Sequence, residues 1–310
     1  MRRKVLIIGA GRVGATTAQI LAYRDICDIV LVNRTEGTAK GIALDIKESS
    51  PLEGFDSDIM GTSDFREIRG SDIVVLTAGV PRKEGMSRDE LLNTNVNVVK
   101  PMCQQIKRYA PDCKLIVLTN PLDAMVYLAK KVTGFPKERV VGMAGILDSA
   151  RFRTFIAETL KVSVTSVSGI VLGGHGDSMV PLPNNAFVNG IPIKELIGKG
   201  TIDKIIERTR NGGAEIIGLE KDSSAFYAPA SSLVAMIESM LNDRKEVLPC
   251  AAYLDGEYGI KGIFMGVPVV LGSKGVEKVV ELKLTRDESA AMKASADKVR
   301  ALAKQVDALL

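Results

Sequence analysis

The fold of this chain is decided by one stretch near its start, Val5-Leu6-Ile7-Ile8-Gly9-Ala10-Gly11-Arg12-Val13-Gly14. The four apolar residues predict a strand that is buried on both faces of a parallel sheet. Ala15 to Tyr23 then predict a helix, and Ile29 to Val32 a second strand. A G-x-G-x-x-G match in this order indicates a dinucleotide site, because its glycines allow a tight turn, admit the pyrophosphate and let helix pack on strand.

The anion of such a ligand is expected at the positive, N-terminal end of the helix. A glycine-rich turn without a ligand is the alternative, and the strand, turn, helix and strand order counts against it. The residues expected to contact the cofactor at this turn are Gly9, Ala10, Gly11, Arg12, Val13 and Gly14.

The end of the second strand bears on the choice of cofactor. An NAD-specific site presents an acidic residue to the ribose there, but this chain has Asn33, nineteen residues after Gly14, followed by Arg34. Asn33 does not repel the 2′-phosphate of NADP, and Arg34 suits a phosphate. Alternatively, Asn33 replaces the acid in an NAD site and Arg34 faces solvent. We therefore expect NAD or NADP, with NADP use suggested by this pair.

Strands and helices continue to alternate through the first half. The pattern predicts strands at 73–77, 115–119 and 140–141, a loop at 78–86, and helices at 122–131 and after Ser87, which forms a capping box with Glu90. This order predicts a doubly wound parallel sheet of the Rossmann type, an α/β domain over residues 1–145. Its ligands are expected beyond the carboxyl ends of the strands.

The second half has a different rhythm and predicts a C-terminal α+β substrate domain over residues 146–310. Helices are expected at 146–160, 201–220 and 230–241, with Gly212-Gly213 weakening or kinking the second. Strands are expected at 162–172, 247–254, 264–271 and 279–284. Thr285 and Glu288 cap a last helix whose apolar stripe is Met292, Val299, Leu302, Val306 and Leu309.

Composition excludes several classes of protein. The 310 residues carry a net charge of only +4, few aromatic residues and no tryptophan, which argues against nucleic-acid binding. No apolar stretch approaches the ~20 residues needed to span a membrane. The cysteines show no C-x-x-C spacing and suit a reducing cytosol; they are Cys27, Cys103, Cys113 and Cys250. We expect a cytoplasmic protein without a metal site.

The only histidine of the chain lies in Gly173-Gly174-His175-Gly176-Asp177, after an apolar run. Histidine is the side chain whose ordinary pKa lets it exchange protons near neutral pH. A hydrogen-bonded structural histidine is the alternative, but the glycines and the polar turn argue against burial in a core. The pattern favours a general acid/base.

Asp148 and Arg151 are three residues apart on a predicted helix, so they share a face. An ordinary surface ion pair, worth under ~1 kcal/mol, is the alternative. Their place at the domain boundary and the need of His175 for a carboxylate argue for a site. Asp148 can fix the tautomer of the imidazole, and Arg151 can hold a substrate carboxylate bidentately.

The loop Val80 to Arg88 is basic and contains glycine. Taken alone it is typical of a solvated loop. Arg82 and Arg88 also suit the recognition of an anion, and a hinged loop can close over a site and exclude water.

Five motifs occur in order: Gly9-Ala10-Gly11-Arg12-Val13-Gly14, Gly79-Val80-Pro81-Arg82-Lys83-Glu84-Gly85-Met86-Ser87-Arg88, Leu118-Thr119-Asn120-Pro121-Leu122-Asp123, Ile146-Leu147-Asp148-Ser149-Ala150-Arg151 and Leu172-Gly173-Gly174-His175-Gly176-Asp177. Together they resemble the lactate/malate dehydrogenase family, in particular the lactate-dehydrogenase-like malate dehydrogenases of bacteria and archaea. The resemblance spans essentially the whole chain.

The resemblance implies a role for each polar residue. His175 accepts the proton of the malate hydroxyl and is oriented by Asp148, Arg151 holds the C1 carboxylate, and Arg88 polarises the reacting carbonyl. The remaining implied contacts are Asn120 with substrate and nicotinamide, Asn95 and Leu118, Thr119 and Asn120 along the cofactor, and Ser224 in the substrate pocket. A homo-oligomer, dimer or tetramer, is implied as well.

Three functions are consistent with a dinucleotide site in this sequence. The leading hypothesis is interconversion of malate and oxaloacetate, and the enzyme alternative is a lactate or broad 2-hydroxy-acid dehydrogenase. Arg82 discriminates between them, since the second carboxylate of a dicarboxylic acid needs a second cation and pyruvate would leave that cation unpaired. A dinucleotide sensor without turnover is the third possibility. It needs none of His175, Asp148, Arg151 and Arg88, and all four are present.

Overall fold

The structure is a computed structural model that describes residues 2–81, 85–221 and 224–310, so Arg82 lies outside the described residues. Its first half is built on a parallel sheet in the order β3-β2-β1-β4-β5-β6. The strands are β1 (Lys4–Ile8), β2 (Asp28–Val32), β3 (Ile59–Thr62), β4 (Ile73–Leu76), β5 (Lys114–Val117) and β6 (Val140–Gly142). Nearly every residue of these strands is buried, as both-face packing requires.

Helices connect these strands and cover the sheet. They are α1 (Arg12–Tyr23), α2 (Glu36–Glu48), α3 (Ser50–Glu53), α4 (Arg88–Tyr109) and α5 (Leu122–Thr133). β1 pairs with β2 on one side and with β4 on the other. The strand order therefore reverses between β1 and β4. The carboxyl ends of β1 and β4 therefore border the crevice in which open α/β sheets bind ligands. The predicted Rossmann-type sheet is confirmed.

The second half adds antiparallel strands and longer helices. Its helices are α6 (Gly145–Leu160), α7 (Ile193–Leu196), α8 (Lys199–Glu220), α9 (Tyr227–Leu241) and α10 (Arg286–Leu309). Its strands are β7 (Val167–Ser168), β8 (Val171–Gly173), β9 (Met179–Pro181), β10 (Phe187–Val188), β11 (Ile191–Pro192), β12 (Glu246–Asp255), β13 (Lys261–Gly272) and β14 (Gly275–Val279). The predicted C-terminal α/β region is confirmed.

One sheet runs through both halves. β6 pairs with β12, after which the order continues β13, β8, β9, and β14 pairs with β13. A small sheet, β11-β10-β7, stands apart. The larger hydrophobic core also includes both halves, from Leu6 in β1 to Phe264 in β13. Most strands of the second half thus belong to the same sheet as the strand that precedes the glycine-rich turn.

The sequence pattern did not reveal α2 and β3. The strand carries Gly61, and glycine interrupts a strand pattern because it has no side chain to pack. A Cβ at Gly61 would lie 2.1 Å from the carbonyl oxygen of Ala39 in α2. The glycine that hides the strand in the sequence is therefore the residue that lets helix and strand pack so closely.

The single strand predicted over 162–172 is wrong. Ser163 starts a short 3-10 helix at Val164–Ser166, where its hydroxyl accepts the N–H of Thr165. β7 then joins the small sheet and β8 the large one, with Gly169 between them. Local capping and a glycine override the β-branched composition of this segment.

The strand predicted over 279–284 is also wrong, because β14 ends at Val279. Its ladder with β13 stops at the pair Val269 and Val279, next to Pro268. The carbonyl of Pro268 still accepts the N–H of Val280 at 2.8 Å, but Pro268 has no N–H to donate in return, and the ladder ends there.

Helix ends were the most accurate sequence predictions. The capping boxes of Ser87 with Glu90 and of Thr285 with Glu288 are both present, so the starts of α4 and α10 are confirmed. Met292, Val299 and Val306 of the α10 stripe are buried, Leu302 is partly buried, and Leu309 at the last turn is exposed.

The described residues contain neither a membrane-spanning helix nor a cluster of metal ligands. Among the described residues, no helix combines the length and apolar composition that a membrane span requires. Within the same residues, no group of three or more His, Cys, Asp or Glu side chains is arranged to hold a metal ion.

Candidate active site

A cleft with a volume of about 950 Å³ lies beyond the carboxyl ends of β1 and β4. We call it the main cleft. It is lined by Ile8, Gly9, Gly11, Arg12, Val13, Gly14, Val32, Asn33, Arg34, Ser63, Phe65, Thr77, Ala78, Gly79, Val80, Pro81, Val98, Pro101, Met102, Gln105, Ile217, Lys221, Ser224 and Phe226. Its position is the crevice that the strand order predicts.

The three glycines of the turn do different work. Gly9 has a φ of +112°, and a Cβ there would lie 2.6 Å from the Thr77 hydroxyl. A Cβ at Gly14 would lie 2.0 Å from the carbonyl oxygen of Gly9, so this glycine brings α1 against β1. Gly11 has no atom within 4 Å of an added Cβ, although it lines the cleft. Gly9 and Gly14 are required by packing, and Gly11 leaves open space above the turn.

The start of α1 fits an anion. Its N-cap residue is Gly11, so no capping side chain takes up the first N–H groups of the helix. Helix N-termini with free N–H groups attract negative charge. Arg12 and Val13 line the cleft at this first turn, and Ala10 is buried beneath it.

Asn33 and Arg34 line the cleft at the end of β2. The Asn33 amide donates a long hydrogen bond of 3.4 Å to the carbonyl of Thr35. Arg34 forms no ion pair with any residue in the described ranges, so its guanidinium has no carboxylate to compete with a ligand.

The opposite rim comes from the second half. Arg12 reaches across to Glu220 at the end of α8, 3.8 Å from its carboxylate, and lies 5.4 Å from the ring centre of Phe226. Ser224 and Phe226 line the cleft between α8 and α9. Sequence reasoning placed Ser224 near the substrate but gave no signal for Phe226.

Asn95 is fully buried in α4 and connects two loops. Its amide oxygen accepts the N–H of Val80 at 2.7 Å, and its two N–H groups donate to the carbonyls of Val80 and Asn120 at 3.0 and 2.6 Å. Because both N–H groups are taken, this side chain holds the loop after β4 against the end of β5.

Leu118, Thr119 and Asn120 follow β5. The backbone N–H of Leu118 donates to the carbonyl of Leu76 at 2.9 Å, and the Thr119 hydroxyl donates to that of Ala78 at 2.6 Å. The Asn120 side chain is exposed at the end of this turn. The segment thus joins the wall of the main cleft to α5.

The second cluster consists of His175, Asp148 and Arg151, and we call it the histidine centre. His175 Nδ1 lies 2.9 Å from Asp148 Oδ2, and Arg151 Nη1 lies 3.4 Å from Asp148 Oδ1. The Asp148 side chain is 2% exposed, Arg151 14% and His175 18%. The alternative of an ordinary surface ion pair is therefore wrong, because the group is buried. Because a carboxylate only accepts, Nδ1 carries the proton and Nε2 is left as the acceptor.

Charge and burial oppose each other at the imidazole. Burial lowers the pKa of His175, but the Asp148 carboxylate and its hydrogen bond raise it, with Asp123 adding to the rise and Arg151 opposing it. The net pKa lies above its ordinary value of 6.5. Burial lowers the pKa of Arg151, and Asp148 acts against that shift.

Helix α8 makes room for Arg151. A Cβ at Gly212 would lie 3.0 Å from Arg151 Cδ, and one at Gly213 would lie 3.8 Å from Arg151 Nη2. α8 continues as one helix through both glycines. The two glycines open a path for the arginine side chain instead.

Arg88 is the first residue of α4 and forms an ion pair with Asp177, two residues after His175. Both side chains are largely exposed. This pair brings the end of the basic loop to the histidine loop. Arg82 lies outside the described residues.

Sequence reasoning missed two residues that touch the histidine loop. Asp123 accepts the backbone N–H of His175 at 2.9 Å, and Ser295 accepts that of Gly174 at 2.8 Å. Asp123 stands in a quoted motif, but nothing near it in sequence shows that its partner lies 52 residues away. Ser295 lies on the buried side of α10, where a serine carries no sequence signal.

Comparison with known proteins decides the family. The model for the lactate/malate dehydrogenase NAD binding domain matches residues 3–142, and that for the lactate/malate dehydrogenase alpha/beta C-terminal domain matches residues 146–309. The chain belongs to the lactate/malate dehydrogenase family. The resemblance found in the sequence is thereby confirmed.

Relatives within this family cover nearly the whole chain. A malate dehydrogenase of Geobacillus thermodenitrificans is 53% identical over 301 residues, which are 96% of each chain. The solved Cryptosporidium parvum malate dehydrogenase has a TM-score of 0.97 at 42% identity, covering 99% of this chain and 100% of its own. A Cryptosporidium parvum lactate dehydrogenase, solved with lactic acid and nicotinamide adenine dinucleotide, has a TM-score of 0.95 at 41% identity, covering 99% and 98%. The fold is thus common to both kinds of dehydrogenase.

Proposed function

We propose that this protein interconverts malate and oxaloacetate with a nicotinamide dinucleotide. The observation that carries the proposal is the buried histidine centre, in which Asp148 bonds both the only imidazole and a buried guanidinium. This arrangement supplies a base and a carboxylate-binding cation side by side. The malate dehydrogenases that are 52–54% identical over nearly the full chain support the same substrate.

The histidine centre performs the proton transfer. With Nδ1 protonated and held by Asp148, the Nε2 atom of His175 accepts the proton of the substrate hydroxyl during oxidation. The resulting imidazolium is stabilised by the Asp148 carboxylate. In the reverse direction the imidazolium gives the proton to the oxygen of the carbonyl. Asp148 also keeps the ring in one orientation throughout.

Three arginines bind and polarise the substrate in this proposal. Arg151 holds the carboxylate next to the reacting carbon by a bidentate contact. Arg88 polarises the carbonyl, and Arg82 pairs with the second carboxylate. Asn120 and Ser224 complete the substrate pocket. The ion pair of Arg88 with Asp177 keeps that guanidinium near His175 before substrate enters.

The main cleft fits the dinucleotide. Space above Gly11, the uncapped start of α1 and a volume of about 950 Å³ suit a pyrophosphate with its two nucleosides. Of the residues predicted to hold it, those that line the cleft are Gly9, Gly11, Arg12, Val13, Gly14, Asn33 and Arg34, and Ala10 is buried beneath the turn. Leu118, Thr119 and Asn120 are not among the lining residues; they follow β5, where Asn95 holds the neighbouring loops together. The bound nicotinamide supplies hydride transfer. The chain's own residues position it and exclude water.

The test is oxidation of NADH and NADPH by the purified protein with oxaloacetate, with pyruvate and without substrate. We expect rapid turnover with oxaloacetate and far slower turnover with pyruvate. Faster turnover with pyruvate would identify a lactate or broad 2-hydroxy-acid dehydrogenase, and dinucleotide binding without turnover would identify a sensor. Arg82→Gln is expected to shift kcat/KM from oxaloacetate toward pyruvate; an unchanged ratio would remove Arg82 from substrate recognition.

We further propose that the enzyme uses NADP(H) as well as NAD(H). Asn33 and Arg34 both line the cleft, and neither presents a carboxylate to repel a 2′-phosphate. The Asn33→Asp variant restores the acid and is expected to move the ratio of kcat/KM back toward NADH. If NADPH lies ~100-fold or more below NADH in the wild type, roughly 3 kcal/mol stands against the phosphate, and Arg34 is not its ligand.

The remaining proposals concern organisation. We propose that residues 1–145 bind the dinucleotide and that residues 146–310 supply the catalytic groups. We also propose a homo-oligomer, dimer or tetramer, which the family resemblance implies and which is the common case for soluble enzymes. A monomeric mass by light scattering at micromolar concentration would contradict it. The buried free cysteines support a reducing, cytoplasmic location.

A further inference from the structure

Asp123 is a buried carboxyl group that the proposed proton transfer does not use. It lies in the first turn of α5, and its Oδ2 accepts the backbone N–H of His175 at 2.9 Å. Its Oδ1 is buried and has no hydrogen-bond partner among the described residues. A buried ionisable group costs free energy unless its surroundings stabilise it. The burial of the Asp123 carboxylate by itself therefore destabilises its ionised form.

The backbone before His175 is held from two sides. Ser295 of α10 accepts the N–H of Gly174, and Asp123 of α5 accepts the next N–H along the chain. A Cβ at Gly174 would lie 3.1 Å from Asp123 Oδ2 and 2.7 Å from Val299 Cγ2. The loop is thus clamped between α5 and α10, and the direction of the imidazole follows from that clamp.

Asp123 is also a charge beside the imidazole. The charged groups around the ring are Asp148 and Arg151 from α6 and Asp123 from α5, whereas α10 contributes the neutral hydroxyl of Ser295. On the histidine loop itself Asp177 is paired with Arg88 of α4. Two carboxylates and one guanidinium therefore surround a single imidazole.

The ionisation of Asp123 is coupled to that of His175. Burial raises the pKa of Asp123 to about 7, His175 and its backbone N–H act to lower it, and Asp148 adds to the rise. An imidazolium favours the ionised form of Asp123, and an ionised Asp123 favours the imidazolium. Because the pKa of Asp123 is about 7, this coupling acts near neutral pH.

We propose that Asp123 is a positioning residue for His175: its carboxylate anchors the backbone N–H of the histidine and supplies a second negative charge that stabilises the imidazolium. The effect on catalysis rests on the proposed function. The anchoring and the charge coupling are properties of the folded protein and are testable without turnover.

The single histidine makes a direct measurement possible. With ¹³C-labelled histidine and any affinity tag removed, the imidazole of His175 gives one NMR signal whose shift follows its protonation. We expect Asp123→Asn to move the titration of that signal to lower pH, because it removes a charge but keeps an acceptor oxygen. Asp123→Ser, a smaller neutral variant with an acceptor, is measured in the same way, so the result does not depend on one variant folding.

The matched control is Asp307→Asn. Asp307 lies on α10 and contacts Tyr127 and Lys131 of α5, so it joins the same two helices without touching His175. The control is expected to leave the His175 titration where it is in the wild type. If the neutral variants of Asp123 also leave it there, the proposed charge coupling is wrong.

Kinetic measurements distinguish the two effects of Asp123, which are the hydrogen bond to the backbone N–H of His175 and the negative charge beside the imidazole. Asp123→Ala removes the acceptor as well, and displacement of the base is expected to lower kcat roughly 10²-fold, with KM for NADH unchanged. Ser295→Ala loosens the neighbouring N–H without removing a charge. It is expected to lower kcat but not to shift the titration of His175.

Failure of this inference is distinguishable from failure of the proposed function. If the wild type does not reduce oxaloacetate, the proposed function fails, and the NMR titration still decides whether Asp123 stabilises the imidazolium. If the wild type is active and Asp123→Ala keeps its kcat and its pH profile, the positioning role is refuted.

Discussion

The main cleft and the histidine centre both follow strands of the same sheet but are made from different parts of the chain. One part of the cleft is local: Gly9, Gly11, Arg12, Val13 and Gly14 of the glycine-rich turn all line it. The histidine centre is made of side chains from α6 and from the loop after β8, supported by α5 and α10. A site that is formed by consecutive residues can be predicted from a sequence motif. A site that is formed by residues from distant segments can be predicted only in part.

The same difference appears in the chemistry. In the cleft the absence of a side chain matters, since Gly11 leaves space and the start of α1 offers N–H groups. In the histidine centre the presence of charge matters, because Asp148 links a base and a guanidinium away from water. Substitutions are therefore expected to affect the two regions through different steps of the reaction.

Removal of the base gives the largest expected effect on activity. His175→Ala is expected to lower kcat by ~10²–10⁴-fold, the usual contribution of a general acid/base. Dinucleotide affinity is expected to stay nearly unchanged, since His175 does not line the main cleft. Turnover by stopped-flow and affinity by fluorescence titration check the two halves of this prediction. Near-wild-type turnover would remove His175 from the mechanism.

Two glycines of the turn form a matched pair. Gly14→Ala places a Cβ 2.0 Å from a backbone oxygen and is expected to destabilise the fold by 1–3 kcal/mol or more, the order of typical overpacking. The Cβ of Gly11→Ala meets no atom within 4 Å, so this variant is expected to keep the wild-type melting temperature. It is expected to lower the affinity for the dinucleotide, because the pyrophosphate needs that space. Equal melting temperatures for the two variants, or full affinity in Gly11→Ala, would contradict this assignment.

A second pair tests the histidine centre through α8. Gly212→Ala crowds Arg151 and is expected to raise KM for oxaloacetate about tenfold, which corresponds to part of one charged hydrogen bond. Gly218→Ala, on the same helix with open space around it, is expected to stabilise the fold by roughly 0.5–1 kcal/mol and to leave KM unchanged. Steady-state kinetics and thermal melts decide. The same KM in both variants would mean that Arg151 does not bind the substrate.

The sequence predicted those features whose causes are local. The buried strands and the two capping boxes depend on neighbouring residues, and they were predicted correctly. β3 was missed because Gly61 breaks its pattern, and the strand at 162–172 was mispredicted because Ser163 and Gly169 redirect the chain. Each of these errors concerns a short segment whose structure depends on one contact or cap.

The histidine centre shows where sequence reasoning ends. His175, Asp148 and Arg151 were predicted from their chemistry, and the structure brings them together. Asp123 was not found, since its role depends on how α5 packs against a loop that is distant in sequence. Gly212 was interpreted as a residue that weakens or kinks α8, because the side chain it accommodates belongs to another helix.

The pH dependence of both reaction directions tests the histidine centre most directly. Oxaloacetate reduction needs the imidazolium and malate oxidation the neutral imidazole, and the Asp148 carboxylate holds the pKa of His175 above 6.5. As pH rises through that pKa, kcat/KM for oxaloacetate is expected to fall and kcat/KM for malate to rise. In Asp148→Asn the pH profiles of both kcat/KM values should move to lower pH, because the charge that raises the pKa of His175 is gone. pH profiles that stay in place in this variant would contradict proton transfer by the pair of His175 and Asp148.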